Sequence, residues 1–269
     1  MPTSDDEADI DKKYVRGKIG FYGIDNLEVI ASLDYGTIDG RGNGYQLSKL
    51  SPDAQAVYSL FDPDLETDLD DFETGLDYPG FTLRDTVSAN LTATLDLWDH
   101  QFVSITGWSR YDFKVSDDVD FGPAPMLSFL YDDEFEQVSQ EFRIVSPDGP
   151  FEYVGGLYYF YSDYDAKTDF TMFPDFNLLD VVQQNVLTGA LGTLLNPVLG
   201  NIPFPSMTFD NRHKEFRQQV NHFAAYVQAN WQITDWLTLI GGIRYSYEAK
   251  NHFQEQTFDG TGLLYNLIT

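Results

Sequence analysis

Apolar and polar side chains alternate with a period of two along most of this chain, in paired segments joined by tight turns. The last pair is the clearest. In 237–249, Leu237, Leu239, Gly241, Ile243, Tyr245 and Tyr247 fall on one parity, and Thr238, Ile240, Gly242, Arg244, Ser246 and Glu248 on the other. The segment before the turn Ile233-Thr234-Asp235-Trp236 repeats the pattern, with Phe223, Ala225, Val227, Ala229 and Trp231 against His222, Tyr226, Gln228 and Asn230. Successive side chains of a pleated strand point to opposite faces, so this period predicts strands rather than helices.

Three earlier hairpins follow the same rule. The first runs from about Tyr14 to Tyr35 and turns at Ile24-Asp25-Asn26. The second sets Val87, Ala89, Leu91, Ala93, Leu95 and Leu97 on one face and turns at Trp98-Asp99-His100. Its return strand is expected to place Val103, Ile105, Tyr111, Phe113 and Val115 on the apolar face, against Ser104, Thr106, Trp108, Arg110, Asp112 and Lys114. The third joins 137–146 to 151–161 through Pro147-Asp148-Gly149-Pro150, a strong turn signal. Between hairpins lie long segments without a sustained period, Gly36–Gly80, Ser116–Phe135 and Ser162–His213, which predict loops; within the last, Asn177–Leu195 has the apolar spacing of a loop helix. Connections therefore alternate short and long. The fold class expected is all-β, an antiparallel transmembrane barrel of about eight strands in four hairpins with long extracellular loops.

Composition fits that expectation. The chain is 42% hydrophobic and 16% aromatic with no cysteine, and its mean hydropathy of -0.31 is too low for a helical membrane protein. Alternation makes apolar and polar residues cancel in any window, as barrel strands require. No apolar run is long enough for a transmembrane helix. The absent cysteines exclude disulfides and thiolate metal sites, and a net charge of -27 disfavours nucleic acid as a partner. Residues 1–13, MPTSDDEADIDKK, form an acidic segment without the basic start and apolar core of an export signal, so the chain is expected to be a piece of something longer. Residues 14–250 would form the partial barrel and 251–269 the start of a further extracellular loop.

At three stretches the chain resembles the TonB-dependent receptors of Gram-negative outer membranes. Gln137–Pro147 (QVSQEFRIVSP) with Tyr153–Tyr161 (YVGGLYYFY) is similar to a mid-barrel hairpin of that family, and Phe223–Tyr247 resembles the hairpin after a long loop. Leu27–Tyr35 and Val87–Ser109 fit earlier strands. The resemblance implies an outer-membrane location and a share in energised uptake of a siderophore or other nutrient, with surrounding lipid as a partner. Family members carry a plug, a TonB-contacting box and a barrel of about 22 strands; plug and box have no counterpart here, so contact with TonB would run only through a plug this sequence lacks. The alternatives from other classes are a small self-contained eight-stranded outer-membrane barrel with a structural or adhesive role, and a soluble β-rich carbohydrate-binding module.

Candidate chemistry is sparse. The polar parity offers Trp108, Arg110, Glu141, Arg143 and Arg244 as lumen-facing ligand contacts. The acidic run 62–77 offers Asp62, Asp64, Glu66, Asp68 and Asp70 as oxygen ligands for calcium, but without the regular spacing and glycine of a helix–loop–helix site; a solvated loop is the plainer reading. Asp117, Asp118, Asp120, Asp132, Asp133 and Glu134 take the same discount. The four histidines are scattered, and neither a nucleophile elbow nor a phosphate loop occurs. No enzyme chemistry and no cofactor is expected.

Overall fold

The computed structural model describes residues 9–42, 45, 47–52, 55, 58, 59, 61–65, 67, 75–172 and 210–260. It contains one eight-stranded antiparallel meander in sequence order: β1 (Ile10–Ile24), β2 (Leu27–Gly40), β3 (Phe81–Leu97), β4 (His100–Asp118), β5 (Leu127–Val145), β6 (Phe151–Met172), β7 (Asp210–Thr234) and β8 (Leu237–Gly260). Each strand hydrogen-bonds only to its sequence neighbours, so β1 and β8 are open edges among the described residues. The four short turns lie at one end of the sheet and the long connections at the other.

Directly paired residues of antiparallel strands share a face, so the registers divide the sheet into two sides. One carries Val15, Ile19, Val29, Leu33, Ala89, Leu91, Phe102, Phe142, Leu157, Ala225, Val227, Leu239 and Ile243. Most of the exposed large hydrophobic side chains of the strands lie here, from Leu95 at 36% to Ile243 at 72% exposure. The other side carries Arg16, Asp34, Asn90, Glu141, Arg143, Tyr226 and Arg244.

The return strand of the second hairpin faces the opposite way from expectation. Leu97 pairs with His100, so the turn is the two residues Trp98 and Asp99, both at positive φ (54° and 61°), as a primed hairpin turn requires. A three-residue turn through His100 would keep odd residues of β3 and β4 on one face; a two-residue turn exchanges them. A one-residue change of register moves every side chain to the other side. Trp108, Arg110, Asp112 and Lys114 therefore share the face of Ala89, Val87 and Leu83, while Val103 and Ile105 stand beside Arg143 and Glu141 on the polar face.

The strands also run further than their apolar bands. β5 begins at Leu127 and β4 ends at Asp118, reducing the expected loop Ser116–Phe135 to 119–126. β6 continues to Met172 and β7 begins at Asp210, and β8 continues to Gly260 although a loop was expected from residue 251; β1 starts at Ile10 inside the acidic segment. The expected loop helix Asn177–Leu195 lies outside the described residues.

Above about ten residues from the turns the two faces exchange character. On β5, Asp132, Glu134 and Glu136 continue the side of Val138 and Phe142, whereas Phe129, Tyr131 and Phe135 continue that of Glu141. On β6, Asp163, Asp165 and Asp169 extend the side of Leu157, with Tyr164 and Phe170 on the other. Continuing one polarity rule past this level hides the extensions and mis-assigns β4. Rings mark the crossover on the apolar side. Tyr35 donates to Asp85 (3.1 Å), Trp108 Nε1 to Glu136 (2.8 Å) and Tyr161 to Asp163 (3.4 Å), each with its apolar body toward the band and its polar tip toward the charged extension.

The register is testable by crosslinking, since the chain has no cysteine. A Leu91→Cys/Thr106→Cys pair, directly opposed in β3 and β4, should form a disulfide on oxidation, while Leu91→Cys/Gly107→Cys, the pair that a three-residue turn would oppose, should not. The reverse result would restore the three-residue turn.

Candidate functional site

Three of the five candidate ligand contacts meet on the polar face. Arg143 on β5 donates from Nε (3.1 Å) and NH2 (2.9 Å) to Glu141 Oε1, and the hydroxyl of Tyr226 on β7 donates to the same oxygen at 2.6 Å. Arg143 Nε also lies 3.3 Å from the Tyr226 hydroxyl, and the Arg244 guanidinium stands 6.0 Å from that ring's centre. Tyr226 reaches Glu141 across the whole of β6, which is possible because Gly156 lies between them, paired with Arg143 on one side and Tyr226 on the other. A Cβ at Gly156 would come within 2.7 Å of the Tyr226 hydroxyl and 2.8 Å of the Phe142 carbonyl. The cluster thus ties β5 to β7 across β6 through one carboxylate, a guanidinium and a phenol, with the Arg244 guanidinium of β8 beside the phenol ring. Its Arg143 and Arg244 offer charge-assisted donors to an oxygen-rich ligand. Tyr226 escaped the sequence reading because its partners are neighbours only across strands; the pair Gly155-Gly156 was the available signal.

Trp108 and Arg110 do not join this cluster. They lie on the opposite side of the sheet, where Arg110 pairs with Asp112 (2.9 Å) and Glu134 (3.0 Å) in a solvated network. Exposed pairs of this kind contribute at most about 1 kcal/mol.

The residues that sequence reasoning missed form an aromatic wall on the polar side of the extensions. Tyr111 stacks on Phe135 (ring centres 5.5 Å apart), Phe135 meets Tyr164 edge-on (6.3 Å), and Tyr164 meets Phe216 (6.0 Å). The hydroxyls of Tyr131 and Tyr164 lie 2.6 Å apart. Arg84 stands 4.8 Å over the Tyr111 ring, and Tyr111 donates to the buried Asp133 at 3.1 Å. Burial pushes the Asp133 carboxyl above its ordinary value, against the pull of these donors. Each such ring pair contributes ~0.5–1.5 kcal/mol beyond its burial. The result is a stiff surface of π-faces with one guanidinium, suited to flat or conjugated ligand groups. The signal was period two in 127–135, read as loop because its other parity is acidic.

Of the calcium candidates, Asp62 and Asp64 lie close together, the Asp64 N–H donating to Asp62 Oδ1 at 3.1 Å, but no third described carboxylate joins them. Glu66, Asp68 and Asp70 lie outside the described residues. The carboxylates that do converge are Asp77, Asp118 and Asp120, by the β4–β5 loop. Burial and the neighbouring Asp120 raise Asp118 to about 7, and burial raises Asp120 to about 6.

Removing the phenol tests the first cluster. Tyr226→Phe should lower stability by ~1.5–3 kcal/mol, the range for hydrogen bonds to a charged group, read from the unfolding midpoint in detergent; an unchanged midpoint would dissolve the cluster as a structural unit. A second test uses pH. His213 sits 2.9 Å from Asp169 and 3.4 Å from Glu215, and these hydrogen bonds raise its pKa above the ordinary value. A raised value means stabilisation that is complete below about pH 6.5 and fades as pH climbs through the folded-state value. Amides of 210–217 should be better protected, after correction for intrinsic exchange, at pH 6 than at pH 8.5. Equal protection would remove His213 from the account.

No protein-family model matches the chain, and no curated protein matches it. Solved structures do. The ferric yersiniabactin uptake receptor FyuA of Yersinia pestis superposes with a TM-score of 0.56 at 13% identity, over 93% of this chain and 34% of that one. The ferripyoverdine receptor of the Pseudomonas aeruginosa outer membrane, bound to ferripyoverdine, gives 0.58 at 14% identity, over 93% and 32%. FpvAI in its complex with pyocin S2 gives 0.59 at 13%, over 96% and 32%. This chain spans about a third of the length of each. At such identities the likeness is one of fold: the meander is similar to the wall of an outer-membrane receptor barrel.

Proposed function

We propose that this chain forms an arc of a TonB-dependent-type receptor barrel in the Gram-negative outer membrane, serving uptake of a ferric siderophore or similar nutrient. The observation that carries the reading is the exchange of polarity between the two faces. A strand crossing hydrocarbon at a tilt needs about ten residues, and over about that length one side is apolar and the other holds the Arg143–Glu141–Arg244 cluster. Beyond it the outer side is charged and the inner side aromatic, as expected where a barrel wall leaves the membrane and encloses a water-filled mouth. A soluble sheet has no reason to change sides at one level on β4, β5 and β6.

In this reading the apolar side meets lipid, the polar side lines the lumen, and the turn end faces the periplasm. The ligand surface is the aromatic wall with Arg84 at the mouth and the Arg143, Arg244 and Tyr226 group deeper in. The open edges β1 and β8 pair with further strands of a 22-strand barrel; unpaired edges have no way to satisfy their backbone groups in hydrocarbon. Two receptors of similar fold are named for ferric yersiniabactin and ferripyoverdine, which supports the ligand class. Surface exposure follows from the same topology: epitope tags in 119–126 should be reachable on intact cells, and tags at Asp25 or Asp148 should not. Labelling in the opposite sense would invert the barrel.

The direct test sets two neighbours on β8 against each other. Leu239→Arg puts a cation toward hydrocarbon and should cost ~2–4 kcal/mol of assembly, whereas Thr238→Arg points into the lumen and should be tolerated. Heat-modifiable, protease-resistant barrel in outer membranes is the readout. Equal yields of the two variants would contradict the membrane reading.

A further inference from the structure

The loops at the mouth hold a group of carboxylates that the uptake reading does not use. Asp118, the last residue of β4, is only 4% exposed. Its Oδ1 accepts the N–H groups of Asp120 (3.1 Å) and Phe121 (3.2 Å), a turn that forces Phe121 to a positive φ of 55°. Asp120 Oδ1 accepts the Leu127 N–H at 2.8 Å. Asp77 arrives from the β2–β3 connection, where its N–H donates to the Gly122 carbonyl at 3.0 Å. One carboxylate oxygen from each of the three lies within 4.8 Å of the others. Tyr58, 7% exposed, packs its ring over Gly122, where a Cβ would lie 2.5 Å from the ring, and donates to the Asp120 carbonyl at 3.2 Å.

Acidic clusters on a surface are common and ask for no ligand. This one differs in where its remaining oxygens point. Oδ2 of Asp118 and Oδ2 of Asp120 are both buried without a hydrogen-bond partner, and among the described residues no ion pair engages either side chain. Buried carboxylate oxygens left without a donor are costly and rare. The backbone N–H groups on the Oδ1 atoms hold both carboxylates in place with their second oxygens free, which is how a ligand set is prepared.

We propose that Asp77, Asp118 and Asp120 bind a divalent cation, with calcium as the best fit, and that the cation ties the β2–β3 connection to the β4–β5 loop. Carboxylates gathered from two loops, with water filling the other positions, suit calcium, which accepts six to eight oxygens in irregular geometry; magnesium demands a near-ideal octahedron and keeps more of its water. Tyr58 and Gly122 make the lid of the site. The site is independent of what the barrel carries, so its failure would leave the uptake reading intact.

Terbium is the probe, because Tyr58 stands close enough to sensitise its emission. In the detergent-purified full chain, excitation of tyrosine should give terbium emission that calcium displaces at about 0.1–1 mM, the range of extracellular calcium modules, and that magnesium displaces only at higher concentration. Asp118→Asn and Asp120→Asn should weaken terbium at least tenfold, while Asp64→Asn and Asp132→Asn, elsewhere on the acidic surface, should not. Since the buried substitutions risk disturbing the loop, Asp77→Asn supplies a second measurement at an exposed position: calcium should slow proteolysis of the β2–β3 connection in the parent and not in this variant, with equal cleavage of both when calcium is absent. Emission that calcium below about 1 mM leaves in place, or binding unchanged in Asp77→Asn and Asp118→Asn, would overturn the site and leave a shared proton as the only bridge between the carboxylates.

Discussion

Strand parity is the constraint on which the rest of this structure depends. A pleated strand has two sides, the hydrogen-bond ladder fixes which residues lie opposite one another, and a slip of one residue exchanges the sides completely. Across the eight strands the registers keep one apolar side continuous from Val15 on β1 to Ile243 on β8. The Trp98-Asp99 turn shows how little decides this. Two residues at positive φ, rather than three in the turn, put Trp108 and Arg110 on the apolar side of the sheet and Val103 and Ile105 on the polar side.

From that division follow the polar cluster and the aromatic wall. Glu141, Arg143, Tyr226 and Arg244 meet because the registers of β5, β7 and β8 bring them to the same side of the sheet and because Gly156 leaves β6 without a side chain in between. Further from the turns, the same side of the sheet carries Tyr111, Phe135, Tyr164 and Phe216, so that rings replace ion pairs where the strands run past the apolar band. On the apolar side a few polar groups persist, and they satisfy one another. Thr106 donates to Gln140 (2.6 Å), whose amide donates to Ser104 (3.0 Å) and to the Glu141 carbonyl (3.1 Å). A hydrogen-bonded set of this kind lowers the cost of polar atoms on an apolar face.

Much of this was legible in the sequence. Alternation in 223–249 and 87–97 located the apolar bands of β3, β7 and β8, and the placement of Glu141, Arg143 and Arg244 on the polar side follows from their parity alone. What was not legible has physical causes. Turn length at Trp98 depends on two backbone angles that non-glycine residues rarely adopt. The extensions of β4, β5 and β6 keep the strand period but exchange its meaning, so acidic residues on the solvent parity hid Phe129, Tyr131 and Phe135 on the other. Contacts across strands, such as Tyr226 with Glu141 and Asp77 with Asp118 and Asp120, need a register that no local pattern supplies.

The exchange of faces along a single strand is the central claim, and β6 tests it most directly. Single cysteines at Tyr153, Leu157, Asp163 and Asp169, all of one parity, would carry an environment-sensitive fluorophore in the membrane-assembled protein. The account predicts strong quenching by a lipid-phase quencher at 153 and 157 and quenching only by an aqueous quencher at 163 and 169, with the neighbouring parity shielded from lipid throughout. Lipid quenching that continues unchanged to 169, or that appears equally at Val154 and Tyr158, would contradict it.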